Sequence, residues 1–460
     1  MALESRRRQT QLKIINMQYI NIIYRYECCT RNIRIFRMYK NKNQLFIKTT
    51  TLFILINVFS ASASGLELDD AEQIALNNAP EIKQLDARRH QLEEEAIADG
   101  QLSDPNLISS LSNMPVDTFN FSQEPMTQIQ LGLQQSFPKG KSLRYARNKK
   151  NHLAAAEKHN SSLAKIEILK DVRIAWLELL FWIKVLEITK EQKIVFTTLL
   201  ETTQSLLANN IAQQHDVIRA QLELIELDNR LIEVDKNIRV SKSKLARWLG
   251  REYINQAYPR HYPKFPELDS YQVMEEALWS HPVILAHQET ISSNRNNVKW
   301  SCEQYKPGVT AGLSYGYRQG RNTNQSKRAN FLSATAKMDL PIFGKNRQAR
   351  RISASQDLLI ASQEKEEVDF RNLVDLLDSE YAKFQEQSKQ NLLYREKLIP
   401  QAKQYAEATL LAYRNGKSDF PALARSYIIE LETKIAGVKI RIDRDKAHVN
   451  LLYLKGGDHV

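Results

Sequence analysis

Cysteine is almost missing from this chain. Of 460 residues three are cysteine, and two of those, Cys28 and Cys29, fall within the first 37 residues. The body keeps only Cys302, so no disulfide can form within it. With Trp300 close by, Cys302 reads as a packed thiol rather than a nucleophile. The nine histidines are scattered and share no cluster with cysteine. His152 and His159 fall on one helical face without a third ligand, and His281 and His287 read as surface residues, so no metal site is expected. A glycine-rich phosphate loop is missing, and so is a nucleophile elbow. The sequence therefore predicts no enzyme and no cofactor.

Long apolar runs are lacking too. Leu52–Phe59 is too short to span a membrane. The apolar patch Ile174–Ile188 carries Glu178, Lys184 and Glu187, so it reads as a helix packed inside a helical barrel rather than in lipid. Excess charge is missing from the body. The formal net charge of +12 is concentrated at the start: residues 1–37 hold eight Lys/Arg and two Asp/Glu, and residues 38–63 add three lysines. That leaves 54 basic against 51 acidic residues in the rest, which excludes a polyanion-binding body and hence a nucleic-acid partner.

Residues 1–37 form a basic leader without periodic pattern, read as no part of the mature protein. Residues 38–63 read as a signal peptide: Lys40, Lys42 and Lys48, then the apolar Leu52–Phe59, then Ala61-Ser62-Ala63. Export follows, to the periplasm, the outer membrane or beyond.

The rest is written twice. Leu224, Leu227, Leu231, Val234, Ile238, Ser241, Leu245 and Trp248 space their apolar residues by threes and fours. Ile428, Leu431, Ile435, Val438, Ile442, Asp445, Val449 and Leu452 do the same, each 204 residues later. Both seams turn polar at the same step, Ser241 and Asp445. Two repeats follow, 66–250 and 271–456, joined by a Tyr- and Pro-rich linker over 251–270.

Each repeat opens with helices. Asp69 or Asp70 is the expected cap of the first, and Asn78-Ala79-Pro80 interrupts it, as Ser280-His281-Pro282 does in the second repeat. A strand pair follows, at about 105–137 and about 307–340. Ile129, Leu131 and Leu133 alternate with Gln128, Gln130, Gly132 and Gln134. Val309 to Tyr317 and Leu332 to Leu340 alternate likewise. Such strands suit a membrane β-barrel or a half-buried hairpin, and period alone does not choose. Each pair ends in a proline and a Gly-Lys turn, Pro138–Lys141 and Pro341–Lys345. Long helices come next, over 142–209 and 346–414, with Pro400 the only breaker in the second; each approaches ~100 Å. Short polar tips turn the chain back into helices 216–249 and 419–454. Asp216 and Asp419 are placed to cap these, and Asn415-Gly416 supplies a left-handed stop.

Two strands per repeat make four per chain. Four strands cannot close a barrel, and lipid does not tolerate an open edge, so copies must pool their strands. The expected fold class is therefore mainly α with membrane β, a long α-helical coiled-coil barrel plus a transmembrane β-barrel shared between protomers.

The paired segments Ala75–Pro80 and Ala277–Pro282, the paired Pro-to-Gly-Lys turns, and the tips leading to Asp216-Val217 and Asp419-Phe420 resemble the TolC-type outer-membrane efflux family across about 66–456. The resemblance implies a homotrimer in the cell outer membrane, with a twelve-stranded barrel over a helical tunnel in the periplasm. It implies docking with a periplasmic adaptor (a membrane fusion protein) that is bound to an inner-membrane pump, with a lean to the resistance-nodulation-division type and heavy-metal cation efflux. Multidrug export and type I protein secretion are the competing duties, and a soluble periplasmic coiled-coil adaptor or scaffold is the rival class. Candidate gate residues are Asp419, Arg414 and Lys417. Candidate adaptor contacts are Ala208, Asn209, Asn210, Ile211, Ala212, Gln213 and Gln214 on the first tip, and Asn415, Gly416, Lys417 and Ser418 on the second.

Overall fold

The computed structural model describes residues 66–456 apart from 254, 256–258 and 260. The basic leader and the signal segment lie outside the described residues.

Prolines set the first joints. α1 (Leu68–Asn78) and α2 (Pro80–Asp99) are separated only by Ala79, which is extended at ψ 111 because the following proline ring disfavours helix there. Pro80 itself sits at the first helical position, where its missing N–H costs nothing. Asp69 and Asp70 lie inside the first turn of α1, so Glu67 and not an aspartate occupies the cap position. Strands β1 (Asn106–Ser112) and β2 (Gln128–Phe137) follow. α3 (Ser142–Ala208) is an unbroken helix of 67 residues, ~100 Å long. α4 (Gln214–Leu249) returns alongside it. The second half runs α5 (Tyr271–Ala277), a short 3-10 turn, α6 (Pro282–Glu303), β3 (Val309–Tyr317) and β4 (Phe331–Met338). Then come α7 (Gln348–Leu393), α8 (Ile399–Arg414) and α9 (Phe420–Leu454).

Pro400 does not break the second long helix. The proline has no N–H to give, and its ring crowds the carbonyl one turn back. The helix absorbs this in a single π turn, Tyr394–Leu398, and the Ile399 N–H reaches the Tyr394 carbonyl. α9 approaches closely here through Gly437. A Cβ added to Gly437 would stand 2.9 Å from Ile399 Cδ1.

The heptad seams are buried. Leu227, Val234, Ile238 and Leu245 of α4 lie inside, as do Leu431, Ile442 and Val449 of α9. The polar step is buried in both, with Ser241 at 2% and Asp445 at 3% exposure. Burial pushes the Asp445 carboxyl up; Arg444, whose Nε donates to it at 2.9 Å, and Arg441 pull it down. The apolar patch of α3 is covered on two sides. Trp176, Leu179 and Ile183 join Ala71 and Ala75 of α1 and Val234, Ile238 and Leu245 of α4 in one cluster. Leu177 and Leu180 join Ile442 and Val449 of α9 in another. The charges in the patch are paired at its margin, the half-buried Glu178 with Lys446 and Lys184 with Glu187.

The four strands form one antiparallel sheet in the order β1-β2-β3-β4. β2 and β3 join the two halves, with Leu133 opposite Leu313. Among the described residues β1 and β4 have no partner on their outer edges.

Candidate functional site: the sheet and the helical tip

Strand register sorts the sheet into two faces, because residues opposite one another point the same way. One face collects Leu107 and Leu111, then Ile129, Leu131 and Leu133, then Leu313, Tyr315 and Tyr317, then Leu332 and Met338. These side chains are open to the surroundings in the single chain, from 44% for Ile129 to 71% for Leu332. The other face carries glutamine, glycine, serine and threonine, with Asn106 and Lys337 at the helical end and Ile108 and Phe331 as its apolar members. This polar face is the crowded one. A Cβ on Gly132 would lie 2.7 Å from Ser314 Cβ, and one on Gly316 would lie 2.2 Å from Gln128 Oε1. In β2 and β3 the polar face is also the more buried of the two, which is what a sheet curling toward that face produces. A large exposed apolar surface, backed by a tight polar face and flanked by two open edges, is the inverse of a soluble half-buried hairpin.

At the far ends of the long helices both tips reverse the chain by the same backbone device. After α8 the Lys417 N–H bonds the Ala412 carbonyl at 2.9 Å and the Gly416 N–H bonds that of Tyr413 at 3.0 Å, with Gly416 at φ +67. After α3 the Ile211 N–H bonds the Leu206 carbonyl at 2.9 Å, and Asn210 takes the left-handed position at φ +52. The returning helices are capped differently. Asp419 caps α9, its Oδ1 accepting from the Ala422 N–H at 3.0 Å. Asp216 is not the cap of α4. Gln213 holds that position, and Asp216 stands three residues on, accepting from the Gln213 N–H at 3.1 Å in a reciprocal capping box.

The two tips share one core. Phe196 and Leu199 of α3 cluster with Ala220 and Leu227 of α4, and with Tyr413, Phe420, Leu423 and Tyr427 from α8 and α9. The Tyr413 hydroxyl reaches Thr203 Oγ1 at 3.5 Å. Sequence periodicity missed this aromatic knot; Tyr413 and Phe420, flanking the Asn-Gly turn, are the signal that was available. Arg414, Lys417 and Asp419 therefore stand on one tip, all exposed, and no ion pair joins them. Ala208, Asn209, Asn210, Ile211, Gln213 and Gln214 are exposed beside them; Ala212 and Ser418 are half-buried. Asp216, at 8% exposure, faces inward.

The histidines do structural work. His281 is fully buried, not a surface residue. Its Nδ1 accepts from the Val283 N–H at 3.4 Å, capping α6, and its ring meets Tyr453 edge-on at 5.2 Å. Burial lowers its pKa to about 4. His287 pairs with Asp369 at 2.7 Å and His152 with Glu289 at 2.7 Å. Cys302 is exposed, because helical register turns its neighbours Ser301 and Glu303 inward in its place. Among the described residues no group of three or more His, Cys, Asp or Glu could hold a metal ion. Among them too, no helix is long and apolar enough to cross a membrane.

No protein-family model matches the chain, and no curated protein does. Solved structures do. The outer membrane protein VceC of Vibrio cholerae superimposes with a TM-score of 0.71 at 17% identity, over 85% of this chain and 96% of that one. The outer-membrane channel OprN gives a TM-score of 0.72 at 14% identity, over 85% and 90%. CusC, described for the conformational changes that accompany its folding and transmembrane channel formation, gives 0.70 at 12% identity, over 85% and 92%. At these identities the likeness is one of fold: the chain has the fold of these outer-membrane channels.

Proposed function

We propose that this chain is the outer-membrane channel of a tripartite efflux system. Three copies pool four strands each into a twelve-stranded barrel, over a tunnel of helices in the periplasm. The chain makes and breaks no bond. It gives a water-filled path to substrates delivered by an inner-membrane pump, of the resistance-nodulation-division type, through a periplasmic adaptor. The observation that carries this reading is the sheet, which exposes its apolar face and leaves both edges unpaired. A soluble periplasmic adaptor or scaffold would have to cover that face, so it is the weaker reading. Ion conductance of the purified protein in planar bilayers tests the proposal. Steady unitary steps support it, and a protein released from carbonate-washed membranes without conductance overturns it.

The cargo is proposed as metal cations, with drugs as the chief alternative and exported proteins third. A deletion strain grown on graded metals and hydrophobic drugs separates them. Sensitivity confined to copper, zinc, cobalt, nickel or cadmium supports the first; broad drug sensitivity with normal metal tolerance sinks it.

The tip is proposed as both gate and docking point. Asp419 of three copies, with Arg414 and Lys417 beside it, forms a charged constriction, while 208–214 and 415–418 meet the adaptor. Because Asp419 also caps α9, two variants are needed. Asp419→Asn keeps a capping oxygen and removes the charge, whereas Asp419→Ala removes both. Raised conductance in both supports the gate. A rise in the alanine variant alone assigns the effect to the lost cap, and no change in either removes Asp419 from the gate.

A further inference from the structure

Register places Phe137, Val309 and Met338 together at the helical end of the sheet. Just beyond them two basic stretches begin, on helices that both pack against α6. The first exposes Lys141, Arg144 and Arg147 at the start of α3; the second exposes Lys345, Arg347, Arg350 and Arg351 at the start of α7. The strand ends that lead into them are held together, since the Asp339 N–H bonds the Gly308 carbonyl at 3.0 Å and Lys139 Nζ stands 4.0 Å from Asp339 Oδ2.

Two carboxylates at this level, Glu303 and Glu95, are already engaged. Glu303 accepts from Lys306 at 2.8 Å and from the Lys141 N–H at 2.7 Å, and Glu95 pairs with Lys150 at 2.5 Å. None of the seven exposed bases forms an ion pair among the described residues. Helix stability does not account for them either. Cations at a helix start oppose the macrodipole, and neither α3 nor α7 has an acidic residue in its first turn.

An apolar step adjoins the bases. The outward face of β4 continues past Met338 as Leu340, 69% exposed. The following turn holds out Ile342 at 77% and Phe343 at 79%, two residues before Lys345. Apolar side chains followed directly by unpaired cations reproduce the order of a bilayer edge, acyl chain and then phosphate.

We propose that this basic collar binds the phosphate-bearing headgroups of anionic phospholipids, in the leaflet where the sheet gives way to the helices. The proposal rests on the outer-membrane reading, which makes that leaflet the one facing the periplasm. It fixes the depth of the barrel by charge, where the apolar face alone leaves the sheet able to slide.

The test compares the full exported chain with a variant carrying Arg144→Gln, Arg147→Gln, Arg350→Gln and Arg351→Gln, both in detergent. Each is titrated with phosphatidylglycerol and phosphatidylethanolamine, and bound lipid is counted by native mass spectrometry. A second variant with lysine at the same four positions keeps the charge. The expected result is a preference of the wild type for phosphatidylglycerol that weakens with salt and survives in the lysine variant. In the glutamine variant it falls about fivefold for each base that faced a headgroup. An equal preference in wild type and glutamine variant overturns the collar. So does a wild type without preference whose glutamine variant loses its oligomer, since the bases then face a neighbouring copy. Carbonate extraction of the same proteins from membranes keeps the two claims apart. Retention without lipid preference overturns the collar alone, and release of the wild type overturns the outer-membrane reading and the collar with it.

Discussion

Leu313 sits at the middle of β3, between Leu133 and Ala334, on the outward face. It is 55% exposed in the single chain. Replacing it with lysine therefore separates two environments. On a water-facing surface the change costs within about 0.5 kcal/mol of nothing. In the middle of a bilayer each copy pays ~2–4 kcal/mol, and the three copies of the proposed trimer together lose ~6–12 kcal/mol. The control is Thr335→Lys. Thr335 lies on the opposite face, two residues from the natural Lys337, and a lysine there meets the polar side. The assay is urea unfolding of the protein in lipid vesicles, followed by loss of the folded band on a gel without boiling. The midpoint is expected to drop sharply for Leu313→Lys and to stay near wild type for Thr335→Lys. Equal midpoints for all three proteins would refute the argument, because the apolar face would then not be in lipid.

Gly416 stands at φ +67 with nothing within 4 Å of where a Cβ would go. Gly416→Ala is thus a pure backbone perturbation, expected to cost about 1–2 kcal/mol, and a melting curve that does not move would count against the left-handed turn. His281 makes the helical body acid-sensitive. Its folded pKa of about 4 lies below the ordinary 6.5 because burial disfavours the charged ring, so below 6.5 the unfolded chain takes up the proton first. The stability held by neutral His281 is complete above pH 6.5 and is lost as pH falls toward 4, by up to about 3 kcal/mol. His281→Asn, which keeps a capping oxygen, is expected to flatten the decline in melting temperature across that window; an undiminished slope would place the titration elsewhere.

The architecture was legible where a single physical rule governs each residue. Alternation in Ile129–Leu133 and Val309–Tyr317 marks strands because pleating sends neighbours to opposite faces. The doubled seam of Leu227 and Leu431 marks packed helices because threes and fours fall on one stripe. The lack of proline and glycine across 142–208 left α3 nothing to stop it. Choosing between a membrane barrel and a soluble hairpin was beyond period alone, since both alternate. The register adds which face is crowded and which is open, the observation on which the proposed barrel rests. Local geometry was harder still. Pro400 reads as a break, but a helix packed along its length against α9 absorbs it as one π turn. Asp216 reads as a cap from type and position, yet Gln213 takes that place because the two complete each other's hydrogen bonds. His281 reads as a surface residue in sequence, for its role depends on Pro282 fixing the helix start and on Tyr453 arriving from α9. The tip was found as two turns; that they form one core rests on Phe196, Leu227, Tyr413 and Phe420 meeting across four helices.

Everything proposed for this chain depends on several copies closing one barrel. The number of chains in the detergent-solubilised protein, weighed by native mass spectrometry, tests that most directly. A single species of three chains, holding twelve strands at four per chain, is the result expected. A stable monomer with its sheet edges open would contradict it.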